Sequence, residues 1–205
     1  MAIIHQAELT PSKPELIMAW LDREPWGGTG EIEIIGSYRY DDPDGEVGVE
    51  AFLVRRGDRL LHLPLTYRGA PLDGAEDRLI STMTHSVLGD RWVYDATADP
   101  VAVACYRRAL CGQQEQAEME VVEGDRVVRR RDSAIRIRRT TSAGEESVDR
   151  TGSAAGGAAS EAAPAATVRV VRVVEATSDL RHAAVPRLVA QWGDRAEPVV
   201  VATLG

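Results

Sequence analysis

The chain has 205 residues, 44% of them hydrophobic, and a formal net charge of −8. That length and apolar share suit a single domain with its own core. The acidic excess works against nonspecific attraction to nucleic acid or to anionic membranes.

The first residues, MAIIHQAELTPSKPEL, lack the basic start and apolar stretch of a signal peptide. No run reaches the roughly 18 apolar residues of a membrane span. A cytoplasmic protein is expected, with its two cysteines, Cys105 and Cys111, reduced. Lys13 is the single lysine and Asn is absent, so chemistry that needs either residue has almost nowhere to sit.

In chain order, AIIHQAEL reads as a short strand. TPSKPELIMAWLDREPW reads as a helix near residues 12–23, with Thr10 as cap, Pro11 in the first turn, and Leu16, Ile17, Trp20 and Leu21 as its apolar stripe. EIEIIGSYRY alternates as a strand, placing Ile32, Ile34, Tyr38 and Tyr40 on one face around an irregularity at Gly36. DDPDG is a turn; EVGVEAFLVRRG and LLHLPLTYRG follow as strands joined by a second short turn, the spacing of an antiparallel meander. RLISTMTHSVL is a further strand, and Leu88-Gly89-Asp90 turns the chain into RWVYDA.

DPVAVACYRRALCG predicts a second helix near residues 99–111. Asp99 caps it, Pro100 opens it, Val101, Ala104, Cys105 and Leu110 supply the buried stripe, and Gly112 ends it. QAEMEVVEGDRVVRRR is a hairpin about Gly124-Asp125, and SAIRIRRT another strand. From Thr141 to Ala166 the composition has no aromatic residue and almost no large apolar one, which predicts a disordered loop inside one domain spanning 1–205. TVRVVRVVEAT resumes a strand, and QWGDRAEPVVVATL closes with a hairpin about Gly193-Asp194. The whole predicts an α+β fold in which an antiparallel sheet carries at least two helices.

Chemical signatures are sparse. His5, His62, His85 and His182 stand far apart, and the two cysteines form no CxxC pair, so no metal site is expected. There is no GxSxG elbow, and GSAAGG lacks the flanking strand, helix and Lys of a phosphate loop; no catalytic residue and no cofactor is assigned. Seven arginines fall between Arg126 and Arg139, but IRIR alternates, with Ile135 and Ile137 inward and Arg136 and Arg138 outward. Glu115, Glu118, Glu120 and Glu123 offer cross-strand partners, so a charge-paired sheet face is favoured over a nucleic-acid surface.

THSVLGDRWVYDA holds the densest set of polar and aromatic residues. In one reading His85, Arg91 and Asp95 line a ligand cleft with Trp92, and Arg68 of PLTYR belongs to the same candidate set. In the other, Trp92 and Tyr94 fill core, Asp95 fixes a turn and Asp99 caps a helix. Strand alternation sets Trp92 and Tyr94 against Arg91, Val93 and Asp95, which favours the structural reading.

The strings ELTP, PLTYR, THSVLGDRWVYDA and DPV, with the final QWGDRAEPVVVATL, resemble the N-terminal cap domain of actinobacterial maltokinases and the short stand-alone proteins that carry it. The resemblance implies a curved antiparallel sheet with packed helices, similar to a cystatin-like arrangement. In those kinases the domain precedes a two-lobed phosphotransferase that uses ATP and magnesium on maltose or a related sugar. A kinase-like site needs a phosphate-contacting Lys and a catalytic Asp followed by Asn. Lys13 precedes the first helix, Asn is missing, and the chain stops where the lobes would begin, so no kinase activity is expected. Two functions stay open: a non-catalytic interaction or regulatory module acting with a separate sugar kinase or α-glucan enzyme, and a small-molecule binder or unrecognised enzyme using the concave sheet face near residues 85–95. Oligomeric state is not legible.

Overall fold

The computed structural model describes residues 2–5, 7–123, 126–131, 133–141, 166–174, 185–193 and 197–205; for 2–5 and 120–131 it gives the backbone path alone. The predicted loop at 141–166 lies, apart from its two ends, outside the described residues.

The opening AIIHQAEL divides into two strands, β1 (Ala2–His5) and β2 (Leu9–Thr10). The first helix, α1 (Lys13–Leu21), buries Leu16, Ile17, Trp20 and Leu21. Its cap is Ser12 and not Thr10. The Glu15 amide donates to the Ser12 hydroxyl at 3.5 Å and the Ser12 amide donates to the Glu15 carboxylate at 2.8 Å. This reciprocal capping box satisfies two amides that the helix cannot. Lys13 is therefore the first residue of the helix and not a residue ahead of it.

Five strands follow: β3 (Ile32–Tyr40), β4 (Gly48–Arg56), β5 (Arg59–Arg68), β6 (Leu79–His85) and β7 (Gly89–Asp95). With β2 they form a curled six-stranded antiparallel sheet in the order β2-β6-β7-β5-β4-β3. The meander holds through β5; β7 then folds back between β5 and β6. The turn joining β6 to β7 is Ser86–Leu88, two residues earlier than predicted. Both faces of this sheet are covered, which explains the unbroken apolar runs of β4 and β5.

On one face α1 packs against Phe52, Val54, Leu61, Leu63, Leu65, Ile80, Met83 and Val93. On the other, α2 (Pro100–Leu110) packs against Tyr38, Tyr40, Val49, Ala51 and Leu53. Gly36 marks where β3 changes sides. Register shifts between Ile34 and Gly36, so Ile32 and Ile34 pack on the α1 face while Tyr38 and Tyr40 pack on the α2 face. The expected single face is thus corrected: a bulge inserts one residue and inverts every side chain beyond it. A Cβ at Gly36 would sit 3.0 Å from the Ala134 Cβ and 3.2 Å from the Ile135 Cγ1, so any side chain there would have to push these neighbours aside.

α2 has the expected cap, with the Val101 amide donating to Asp99 at 3.0 Å, and ends at Gly112, whose φ of +73° suits glycine. Its buried face is Ala102, Cys105, Tyr106, Ala109 and Leu110; Val101 and Ala104 are only partly covered, since the helix is rotated from the predicted stripe. Cys105 is buried and Cys111 exposed, both as free thiols.

The remaining strands are β8 (Met119–Glu123), β9 (Arg126–Arg131), β10 (Ile135–Thr140), β11 (Val168–Val170), β12 (Arg187–Trp192) and β13 (Val199–Leu204). β8 and β9 pair antiparallel, setting Glu120 opposite Arg130 and Glu123 opposite Arg126, and β1 pairs parallel with β8. β10, β12, β13 and β11 form a four-stranded antiparallel sheet that closes the α2 core. Ile135 is buried and Arg136 and Arg138 are exposed, as the alternation predicts. After β11 the chain stitches the two sheets together: the Val171 amide donates to the Val201 carbonyl at 2.9 Å, and the His62 amide to the Arg172 carbonyl at 2.8 Å.

Candidate functional site

The capping box fixes the start of α1 and so places the only lysine over the sheet. Lys13 Nζ donates to Glu50 at 2.6 Å and lies 5.5 Å from the Phe52 ring centre and 5.6 Å from that of Tyr67. Glu50, near the start of β4, also accepts from the Ser37 hydroxyl at 3.0 Å and faces Arg39 across the β3–β4 ladder. Burial pushes the Glu50 carboxyl up, but Lys13 and Arg39, with the two hydrogen bonds, outweigh it and hold the group below its usual range. A buried carboxylate survives here because its charge is met.

Beside this pair opens a cavity of about 480 Å³, within the range of small-ligand pockets. Lys13, Glu50, Tyr67 and Arg39 line its floor side, and Asp41, Asp42 and Glu46 come from the β3–β4 turn. Asp42 is engaged by that turn, accepting from the amides of Asp44, Glu46 and Val47. His85, Leu88 and Arg91 come from the β6–β7 turn. There His85 Nδ1 accepts from the Val87 and Leu88 amides at 3.2 and 3.1 Å, which puts the proton of a neutral ring on Nε2. Arg91 donates to the Leu88 carbonyl at 2.8 Å.

Of the five binding candidates read from sequence, His85 and Arg91 line this cavity and the other three do not. Arg68 grips Asp99 with two bonds, of 2.7 and 2.8 Å, locking β5 to the start of α2. Burial raises the Asp99 carboxyl, and the bonds from Arg68 lead the contacts that more than reverse it. Asp95 accepts from the Thr97 amide at 2.9 Å and from Arg172, whose guanidinium lies 5.5 and 5.6 Å from the Trp20 and Trp26 rings. Trp92 stands opposite Arg68 in the β5–β7 ladder and is half-buried, whereas Tyr94 is fully buried and accepts from the Leu72 amide. The reading of Trp92 as core is corrected to that extent. Lys13, Glu50 and Tyr67 went unread, although a lone lysine and a glutamate inside GVEAFLV are both signals.

A second polar cluster sits wholly inside the α2 face. His62 Nδ1 donates to the Val171 carbonyl at 3.2 Å, so Nε2 accepts, and Tyr38 donates to it at 2.9 Å. The Tyr38 and Tyr106 hydroxyls are 2.9 Å apart. Burial, reinforced by Arg172, pushes His62 down to about 3, and burial raises both phenols, so all three rings are neutral at physiological pH.

The fold is thus a two-faced antiparallel sheet with one helix on each side and a polar cavity beside Lys13. Residues 20–99, from Trp20 in α1 through all of β3 to β7, match the family model of the maltokinase N-terminal cap domain. The likeness read from the sequence is thereby supported over that stretch; the cap is a non-catalytic module of maltokinases. No curated protein matches the chain. No helix among the described residues is long and apolar enough to cross a membrane.

Proposed function

We infer that the chain is a non-catalytic cap module that docks on the catalytic part of a sugar kinase, or on a related α-glucan enzyme, in the same polypeptide or another. The match of residues 20–99 to the cap domain carries this reading and links it to maltose and α-glucan metabolism. The polar side chains support it, since those that might have served chemistry are spent on structure: Asp99 on Arg68 and the α2 cap, Asp95 on Arg172 and a turn, His62 on two tyrosines.

The test is titration of the purified chain into a maltokinase catalytic part stripped of its own cap, followed by calorimetry and kinase assay. Saturable binding with a changed kcat or KM is expected. No heat at tens of micromolar, with ATP, magnesium and maltose present, would remove the docking reading. The chain alone, given the same substrates, should transfer no phosphate; turnover abolished by Lys13→Met would make it an enzyme instead.

A further inference from the structure

The charge pairing expected from the sequence holds for β9 and fails for β10. The arginines of β9 face glutamates of β8, Glu120 opposite Arg130 and Glu123 opposite Arg126. β10 pairs instead with β12, where Arg136 stands opposite Gln191 and Arg138 opposite Val189. None of the four strands of this sheet, β10, β12, β13 and β11, contains Asp or Glu. Ile135, Ile137, Leu188 and Ala190 turn towards the α2 core, so alternation turns Arg136 and Arg138 to the outer face. Arg169 joins them there, because its neighbour Val168 packs inward. Arg187, buried in the same face, stands across Thr203 from it. Arg136, Arg138 and Arg169 are exposed, and none has a hydrogen bond or ion pair among the described residues.

Like charges gathered on one sheet face are destabilising. In a chain of net charge −8 they also run against the overall field, so this face is a local reversal of sign. Successive outward residues of a strand stand about 7 Å apart. Arg136 and Arg138 therefore match acidic side chains two residues apart on a strand or one turn apart on a helix. A guanidinium grips a carboxylate with two parallel bonds, which gives such a contact direction as well as attraction. Nucleic acid fits less well. Surfaces that bind it add outward aromatic rings for stacking, whereas Trp192, the one aromatic residue of these strands, packs on the α2 core, and the net charge repels a polyanion. The face lies outside residues 20–99, so the match to the cap domain does not assign it. We propose, building on the docking reading above, that the outer face of this sheet is a docking surface. Through Arg136, Arg138 and Arg169 it meets an acidic protein surface whose carboxylates stand about 6–7 Å apart.

The experiment is calorimetric titration of the full chain into a maltokinase catalytic part stripped of its own cap, with double variants of equal charge change. Arg136→Glu with Arg138→Glu should weaken binding about ten-fold or more. Arg55→Glu with Arg78→Glu, both exposed elsewhere, should change it less than about two-fold. Arg136→Gln with Arg138→Gln should give a smaller loss, and Arg169→Glu alone should act in the same direction. The side chains are exposed, so melting temperatures should stay close to wild type. Wild-type affinity should fall as salt rises from about 50 to 300 mM. Three results overturn the assignment and leave the docking reading standing. These are binding that the Arg136 and Arg138 variants leave intact; an equal loss from the Arg55 and Arg78 pair, which would make the effect one of net charge; and tighter binding to a DNA duplex or single-stranded RNA than to the kinase part at about 150 mM salt. No binding by the wild-type chain removes the docking reading itself, and this face with it.

Discussion

On the α2 face of the six-stranded sheet, Tyr106, Tyr38 and His62 hand hydrogen bonds along a closed line that ends on the Val171 carbonyl. On the α1 face, Lys13 and Glu50 meet, but the covered Tyr67 hydroxyl has no partner among the described residues, although the residue lines a cavity. Both clusters are buried and both contain tyrosine, so burial alone does not separate scaffold from site. Satisfaction distinguishes these two clusters but not the two faces, because the buried Tyr40 hydroxyl on the α2 face also lacks a partner among the described residues.

The comparison breaks first at Tyr106. If the closed line is scaffold, Tyr106→Ala removes a fully buried ring from the centre of the α2 core and should cost about 3–5 kcal/mol in urea denaturation. A loss below about 1 kcal/mol would mean that the α2 face is not the tightly packed one.

His62 supplies the next test, through pH. Its pKa is about 3 in the folded chain against 6.5 for the free side chain. Between those values the unfolded chain takes up a proton that the native state refuses, so stability falls as pH falls, by about 1.4 kcal/mol per pH unit at most. Glu50 and Asp99, whose carboxyls are held low, lose their contribution only further down, below their ordinary values of 4.5 and 3.8. The window from pH 6.5 to 4.5 therefore lies above both carboxylates, and substitution of His62 separates its share from that of the other histidines. His62→Leu should flatten the stability slope there relative to wild type; parallel slopes would show that His62 already charges in the fold.

Ser12→Ala is smaller and local. Loss of the capping box should cost about 1 kcal/mol and loosen the residue that holds Lys13 over Glu50. If melting is unchanged, the position of Lys13 is set by its ion pair and not by the helix start.

Much of this scaffold was legible in the sequence, because the period-2 pattern of β3 to β7 and the Asp99–Pro100 start of α2 are local signals. The inversion at Gly36 was not. The glycine announced an irregularity, but the side the two tyrosines take depends on the register with β4, fixed by pairing Gly36 with Leu53 and Ser37 with Phe52, far along the chain. The site was half legible. His85 and Arg91 share a turn rich in polar residues, whereas Lys13 and Glu50 are 37 positions apart and meet only once the sheet has curled under α1. Trp92 misled for the opposite reason: its letter speaks for core, but it stands opposite Arg68, where part of it stays in solvent.

The smallest effect sharpens the contrast most. Tyr38→Phe deletes a hydroxyl bonded on both sides, leaving the His62 Nε2 with only the longer 3.5 Å contact from Tyr106, and should cost about 1–3 kcal/mol. Tyr67→Phe deletes a hydroxyl that bonds nothing in the described chain, keeps the ring under Lys13, and removes a buried polar group that was never satisfied. Its stability should stay within about 0.5 kcal/mol of wild type, or rise slightly. Measured side by side in urea, the same chemical change at two tyrosines then gives opposite outcomes. Should Tyr67→Phe cost as much as Tyr38→Phe, its hydroxyl has an internal partner after all.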